Sequence, residues 1–187
     1  ARRCGVIVTL DPGMVLPEAA RNQAKEILPV IDILLLNLAE AQQWTGPEKP
    51  EECISRLLAI GVRAVALKLG REGCLIGHQA GLIRVPAFTI QARDSTGAGD
   101  SFAAGVLFGR LSGLDWYRTA LLGNALGAMT AARIGAGVPV NPARQIVSLL
   151  QAGPSQITLE DYVQAIQQIL DAVSFARDAE GDRPWNP

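Results

Sequence analysis

Histidine and cysteine are scarce in this sequence, which has one histidine and three cysteines among 187 residues. The single histidine, His78, argues against histidine-based catalytic triads and against a metal site with several histidines. Cys4, Cys53 and Cys74 lie far apart and form no C-x-x-C pair, so neither a disulfide framework nor a zinc site is indicated. The pattern predicts reduced, partly buried thiols in the cytoplasm or in a reducing organelle stroma.

An excess of positive charge is also absent. The 17 Lys and Arg residues are balanced by 18 Asp and Glu residues, and no stretch is rich in Lys and Arg. Because binding to nucleic acid depends on concentrated positive charge, we expect no nucleic-acid partner and a small-molecule substrate instead. The apolar run from Val6 to Leu10, which Asp11 ends, is too short for a signal sequence or a membrane span.

Strand and helix patterns alternate in the first part of the chain. Three short apolar runs are typical of strands buried on both faces: Gly5–Leu10, Ile33–Leu36 and Ala64–Leu67. Helical patterns follow each of the first two runs: Pro17 to about Leu28, a short helix with Glu40 and Trp44 that stops at Gly46-Pro47, and about Glu51 to Ile60. This alternation predicts a layered α/β fold in which the three strands are parallel and adjacent.

The pattern changes after Gly70 and Gly73. Cys74–Ile76 and Leu82–Val85 are predicted to form a hairpin. A helix of small residues is then expected to end near Leu111, and a second helix from about Trp116 to Arg133, rich in Ala and Gly, should pack closely against its neighbours. Asn141-Pro142 is predicted to begin a further helix, and Tyr162, Ile166, Ile169 and Val173 have helical spacing in a last helix from about Leu159 to Arg177. We therefore divide the chain into a domain at 1–152 and a C-terminal helix with a polar tail at 153–187.

The segment Asp94–Phe102 carries the clearest chemical signal. A Gly-Ala-Gly run directly before a helix lets a ligand approach the backbone, and the amides of the first helical turn can then bind an anion. Asp100 would lie beside that anion, where a carboxylate is useful if it accepts a proton, as in phosphoryl transfer. From the glycines alone, a tight turn into a helix with Asp100 as a helix-start carboxylate explains the segment equally well.

The same segment closely resembles the D-T-x-G-A-G-D-x-F signature of PfkB-family (ribokinase-like) carbohydrate kinases, with Ser95 in place of Thr. Further segments match the family in the right order: Asn37 with Glu40 (N-x-x-E), Leu69–Gly73 (L-G-x-x-G), and Asn124 with Gly135–Gly137. No P-loop and no G-x-G-x-x-G fingerprint is present. The sister vitamin-kinase branch usually has Cys in place of Asp100, so the resemblance favours the sugar-kinase branch.

The resemblance implies a role for each matching residue in ATP-dependent phosphorylation of a sugar or sugar acid. Asp100 would be the catalytic base, and the amides of Gly97, Ala98 and Gly99 would hold the transferring phosphoryl group. Nucleotide contacts are implied for Gly70, Gly73, Asn124, Gly135 and Gly137. Asn37 and Glu40 would help to place Mg²⁺ through water, and Asp94 with Thr96 lies where some relatives bind K⁺.

Two further polar residues leave alternatives open. Lys68 lies where many relatives have Thr or Ser and sugar-acid kinases often have Lys, so it could contact a phosphate or simply end a strand in solvent. Asp11 resembles a D-P position of relatives, but capping of the helix that follows explains it equally well.

The family's N-terminal half has no counterpart before Gly5. The resemblance therefore implies a layered α/β/α fold with a mainly parallel sheet, lacking the N-terminal part and the small β lid that supply most sugar contacts and often dimerisation. We expect these residues not to be active alone. Three hypotheses stay open: part of a sugar kinase, a non-catalytic pseudokinase-like scaffold in a larger assembly, and a nucleotide-binding module whose sugar site comes from another chain.

Overall fold

A computed structural model describes residues 6–13 and 25–135 of the chain. The chain divides into two compact units, Ala1–Ile90 and Gln91–Pro187. The predicted domain boundary at 152, the helix at Asn141 and the C-terminal helix lie outside the described residues. None of the described helices is long and apolar enough to cross a membrane.

The first unit is built on a five-stranded mixed sheet with the strand order β1-β2-β3-β4-β5. Its strands are β1 (Thr9–Leu10), β2 (Ile33–Asn37), β3 (Ala64–Lys68), β4 (Cys74–His78) and β5 (Gly81–Val85). The first three strands are parallel, and β4 and β5 are each antiparallel to the strand before them. The α/β class, the three adjacent parallel strands and the hairpin are thus confirmed.

Two helices cover one face of this sheet. Helix α1 (Leu38–Thr45) follows β2 directly, and α2 (Pro50–Ile60) precedes β3. Glycines end both helices, since Gly46 has φ 91° and Gly61 has φ 117°, conformations that side chains disfavour. The main apolar cluster joins alternate strand residues to the helices: Leu34, Leu36, Val65, Leu67, Leu75, Ala41, Trp44, Cys53, Ile54 and Leu57. Trp44 is thus a core residue.

The burial predicted for the cysteines is found at the two that the structure describes. Cys53 and Cys74 are buried, and Cys4 lies outside the described residues. Burial of these two cysteines is consistent with the small, apolar environment that an unreacted thiol prefers.

Two predicted elements differ from the structure. The first strand was expected over Gly5–Leu10 with both faces buried, but β1 is only Thr9–Leu10, and Val6 and Ile7 are 55% and 47% exposed. Among the described residues β1 pairs only with β2, so an apolar run alone overestimated its burial. The helix expected to end near Leu28 gives way, over the described residues, to a turn and a 3₁₀ helix at Leu28–Val30. Pro29 lacks the N–H that an α-helix would need there.

In the second unit two helices pack against each other, α3 (Ala98–Leu111) and α4 (Trp116–Ala131). A Cβ atom added to Gly105 would lie 2.8 Å from the Cα of Gly123, so the two backbones approach where neither residue has a side chain. The close packing expected from the small residues is confirmed. Beside it, the buried hydroxyls of Ser101 and Thr130 lie 2.7 Å apart, and Trp116 packs under Arg110, whose guanidinium carbon lies 4.3 Å from the ring centre.

We predict that Gly105→Ala destabilises the protein although alanine is the better helix former. The helix-propensity gain is about 1 kcal/mol, whereas overpacking against backbone atoms costs about 1–3 kcal/mol. Urea unfolding should therefore show a lower free energy of unfolding. Ala104→Leu, on an exposed position of the same helix, serves as control and should change that energy by less than about 0.5 kcal/mol. A more stable Gly105→Ala variant would contradict the described packing.

Candidate active site

The carboxyl ends of the three parallel strands bring polar residues to one edge of the sheet in the first unit. Asn37 ends β2 and Lys68 ends β3, and the two are register partners. Asp11 follows β1 directly. In open α/β sheets the carboxyl edge of the strands is where ligands bind. The structure thus brings together Asn37 and Lys68, which were predicted separately.

Asn37 and Glu40 form a reciprocal cap at the start of α1. The Asn37 side-chain oxygen accepts a hydrogen bond from the Glu40 amide at 2.9 Å, and the Asn37 amide donates to Glu40 Oε2 at 2.8 Å. This capping box explains why a helix begins directly at the strand end. It also fixes both side chains at the carboxyl edge, where the second carboxylate oxygen of Glu40 takes no part in the cap.

The turn Leu69–Gly73 is a single 3₁₀ turn between β3 and β4. The Leu69 amide donates to the Gly73 carbonyl at 2.8 Å, and the Gly73 amide donates to the Gly70 carbonyl at 3.0 Å. Gly70 and Gly73 both have positive φ, 60° and 91°. A Cβ on Gly73 would lie 2.1 Å from the Val85 carbonyl oxygen, whereas a Cβ on Gly70 would meet no other described residue within 4 Å apart from its chain neighbours. The backbone of this turn is therefore compact, and its Gly70 side is open to a ligand.

The second unit contains the Gly97–Asp100 segment at the start of α3. Gly97 is the N-cap and has φ 76°, and its carbonyl accepts the first helical hydrogen bond from Ser101. The Ala98 amide donates to the Ser95 carbonyl at 3.1 Å, so a ligand would have to compete for it. The amides of Gly99 and Asp100 lie in the first turn, where a helix offers no internal acceptor.

Asp100 itself does not cap the helix. Its position is exposed, and among the described residues no hydrogen bond involves its carboxylate. The aspartate that starts α4 behaves differently, because Asp115 accepts a hydrogen bond from the Arg118 amide at 2.8 Å. Asp100 thus stands beside a positive helix end without a structural partner in the described chain.

Asp94, which precedes α3, forms hydrogen bonds to Thr96 beside it and to Gly135, which follows α4. Its Oδ1 accepts from the Thr96 amide at 2.9 Å and from the Thr96 hydroxyl at 2.6 Å, and its Oδ2 accepts from the Gly135 amide at 2.9 Å. These hydrogen bonds, from the Thr96 side chain first and then from the two amides, lower the pKa of Asp94 from 3.8 to about 2. The predicted K⁺ residues thus form a network that also includes Gly135.

Two further predicted nucleotide residues are Asn124 and Gly137. Asn124 lies within α4 and is buried, with 8% of its surface exposed. Gly137 lies outside the described residues. No cluster of three or more His, Cys, Asp or Glu side chains that could hold a metal ion occurs in the described ranges.

One feature was missed in the sequence. Lys68 Nζ lies 2.8 Å from Asp11 Oδ2, although the two residues are 57 positions apart. Each had been noted as a polar residue at a strand end, but only the strand order could pair them.

Comparison with known proteins gives a consistent result. Residues 2–144 match the model of the pfkB family of carbohydrate kinases. An uncharacterised sugar kinase of Archaeoglobus fulgidus is 35% identical over 71% of this chain and 53% of its own length. The 2-dehydro-3-deoxygluconokinase of Bacillus subtilis is 33% identical over 68% of this chain and 41% of its own.

A solved structure agrees in fold. Arabidopsis thaliana ribokinase, complexed with ribose and ATP, superposes with a TM-score of 0.68 and 27% identity, over 79% of this chain and 48% of that protein. The chain thus spans about half the length of the relatives that it matches.

We predict that Asp94→Asn lowers stability in a pH-dependent way. A carboxyl group whose pKa is depressed in the folded state stabilises it above the unfolded pKa, and this contribution is lost as pH falls. The wild type should therefore be the more stable protein above about pH 4, and the difference should shrink between about pH 4 and pH 2. Denaturant unfolding at several pH values measures it. A difference that is constant with pH would show that the Asp94 charge plays no part.

Proposed function

Because the chain belongs to the pfkB family of carbohydrate kinases, we propose that it supplies the nucleotide-binding and catalytic part of an ATP-dependent kinase. The reaction is phosphoryl transfer from ATP to a hydroxyl group of a sugar or sugar acid. The observation that carries the proposal is the start of α3, where left-handed Gly97 opens a helix and the exposed carboxylate of Asp100 has no partner among the described residues.

The proposed roles follow from the electrostatics of a helix start. Backbone amides at Gly97–Gly99 and the positive end of the helix stabilise the transferring phosphoryl group. Ala98 contributes only when its amide leaves the Ser95 carbonyl. Asp100, on the third residue of α3, accepts the proton of the attacking hydroxyl as general base.

The nucleotide lies, in this proposal, along the turn of Leu69–Gly73, with Lys68 directed to its phosphates. The open side of Gly70 supports a ligand there, because among the described residues no atom beyond Gly70 and its chain neighbours lies within 4 Å of a Cβ built on it. Asn124 and the loop that begins at Gly135 would line the adenine pocket. Gly137, outside the described residues, is proposed to contact the nucleotide as well.

Mg²⁺ fits Asn37 and Glu40 only through water. Their side chains hold each other in a cap, and Mg²⁺ usually keeps several waters and binds substrate phosphates rather than a protein cage. When bound, the ion neutralises charge on the β- and γ-phosphates. Asp94 and Thr96 would contribute oxygen atoms to a K⁺ ion in the same way as in some relatives, and the Asp94 oxygens now used by Thr96 and Gly135 would have to be shared.

The sugar itself is proposed only as a class. The two relatives are named as kinases of a sugar and of a sugar acid, and the ribokinase structure holds ribose and ATP. We propose that the acceptor is selected by the part of the relatives' length that this chain does not match. In that case turnover requires both parts, and dimerisation through a lid belongs to the unmatched part.

We predict that Asp100→Asn in the full-length protein lowers turnover by about 10²–10⁴-fold, because it removes the proton acceptor and keeps the shape. ATP affinity should be retained or slightly increased, because the phosphate is held by amides and loses a nearby negative charge. Turnover and nucleotide affinity are measured on the same preparation.

The matched control is Asp115→Ala, at a helix start where the carboxylate is a true cap. It should lower stability by about 0.5–2 kcal/mol and leave turnover per folded molecule unchanged. If Asp100→Asn behaves like this control, with near-normal turnover and only a lower melting temperature, Asp100 is a structural residue. A non-catalytic scaffold would show no turnover in the wild type.

A further inference from the structure

An ion pair links β1 to β3 across the end of β2. Lys68 Nζ and Asp11 Oδ2 lie 2.8 Å apart, and their side chains are only 16% and 22% exposed. Lysine is rarely this buried unless a carboxylate accompanies it. The carboxylate of Asp11 therefore offsets the cost of burying the Lys68 ammonium group at the carboxyl edge of the sheet.

The carboxylate of Asp11 is itself held in place. Its second oxygen, Oδ1, accepts a hydrogen bond from the Gly13 amide at 3.2 Å. The orientation of the carboxylate is thus set from two sides, by the local turn and by the lysine. An ammonium group has three donors, so a contact with one carboxylate oxygen leaves Lys68 able to donate to a further acceptor.

Stability alone is a weak explanation for this pair. A partly buried ion pair often contributes no more than apolar residues of the same size. A second pair already links the strands at their amino ends, where Asp32 Oδ1 lies 2.9 Å from Arg63 and Asp32 Oδ2 accepts from the Val8 amide at 2.8 Å. That pair is partly open to solvent, with Arg63 66% exposed. The two pairs thus differ in location, and only Asp11–Lys68 lies at the edge where ligands bind.

The position of Lys68 in the chain indicates which ligand. Lys68 is the last residue of β3 and directly precedes the turn of Leu69–Gly73. A nucleotide lying on this turn would bring its phosphates within reach of the ammonium group.

We infer that Asp11 is a positioning residue for the kinase reaction: it holds Lys68 toward the nucleotide triphosphate and masks its charge until the phosphates displace it. This inference rests on the proposed function. The phosphate oxygens then compete with Asp11 for the ammonium, so the Asp11 charge opposes nucleotide binding while its geometry prepares the lysine.

The inference predicts opposite effects of the two residues. Asp11→Asn keeps the shape and an acceptor oxygen but removes the competing charge, so ATP affinity should rise roughly 3- to 10-fold. Lys68→Met keeps a side chain of similar length but removes the charged donor. ATP affinity should therefore fall roughly 10- to 100-fold. Neither variant should change the affinity for adenosine, which has no phosphate.

The experiment is an equilibrium titration of ATP and of adenosine into the full-length wild type, Asp11→Asn and Lys68→Met, with melting temperatures recorded for each. Asp32→Asn is the matched control at the amino edge. It removes the corresponding carboxylate of the other ion pair, so it should lower the melting temperature and leave the ratio of ATP to adenosine affinity unchanged.

Several results would overturn the inference. One is a ratio of ATP affinity to adenosine affinity in Asp11→Asn that equals the wild-type ratio. Another is weaker ATP binding by that variant than by the wild type. If Lys68→Met does not fold, the ratio of ATP affinity to adenosine affinity in Asp11→Asn is enough to test the inference. A wild type that binds neither ligand refutes the proposed function, and the inference with it. A wild type that binds ATP while the Asp11 and Lys68 variants match the control refutes the inference alone.

Discussion

The parallel pairing of β1, β2 and β3 is the constraint on which the first unit depends. Because Ile33 pairs with both Thr9 and Ala64, the three strands run in register and end at one edge. Residues far apart in sequence, Asp11 and Lys68, become neighbours there. The apolar side chains of β2 and β3 alternate between the two faces, and those facing α1 and α2 form the core that maintains this register.

The second unit depends on a more local constraint, the conformation of the backbone around α3. Left-handed Gly97 directs the chain into the helix, and Asp94 fastens the preceding loop to Gly135 beyond α4. The glycine contact between α3 and α4 fixes the distance between the helices. A helix start supported in this way presents its amides in a fixed direction, and this is what stabilisation of a transferring phosphoryl group requires.

Much of the fold could be predicted because its signals are local. The strands β2 and β3 and the β4–β5 hairpin follow from short apolar runs between turn residues, and Gly46 and Gly61 mark helix ends. The exposure of Val6 was not predictable, because burial depends on which strands pair with β1. The Asp11–Lys68 contact could not be predicted for the same reason: it needs the strand order and register, which sequence spacing does not contain.

The candidate site stays a prediction, and it could be made from the sequence only where its residues are contiguous. Gly97 to Asp100 could be proposed from the sequence because they are contiguous within the Asp94–Phe102 signature, whereas the glycines alone fit a tight turn into a helix equally well. Its most direct test is an amide chemical-shift titration of the isotopically labelled protein with Mg²⁺ and ATP. The account predicts saturable changes that are largest at Gly70–Gly73 and Gly97–Gly99. Saturable changes confined to other residues, or no binding, would contradict it.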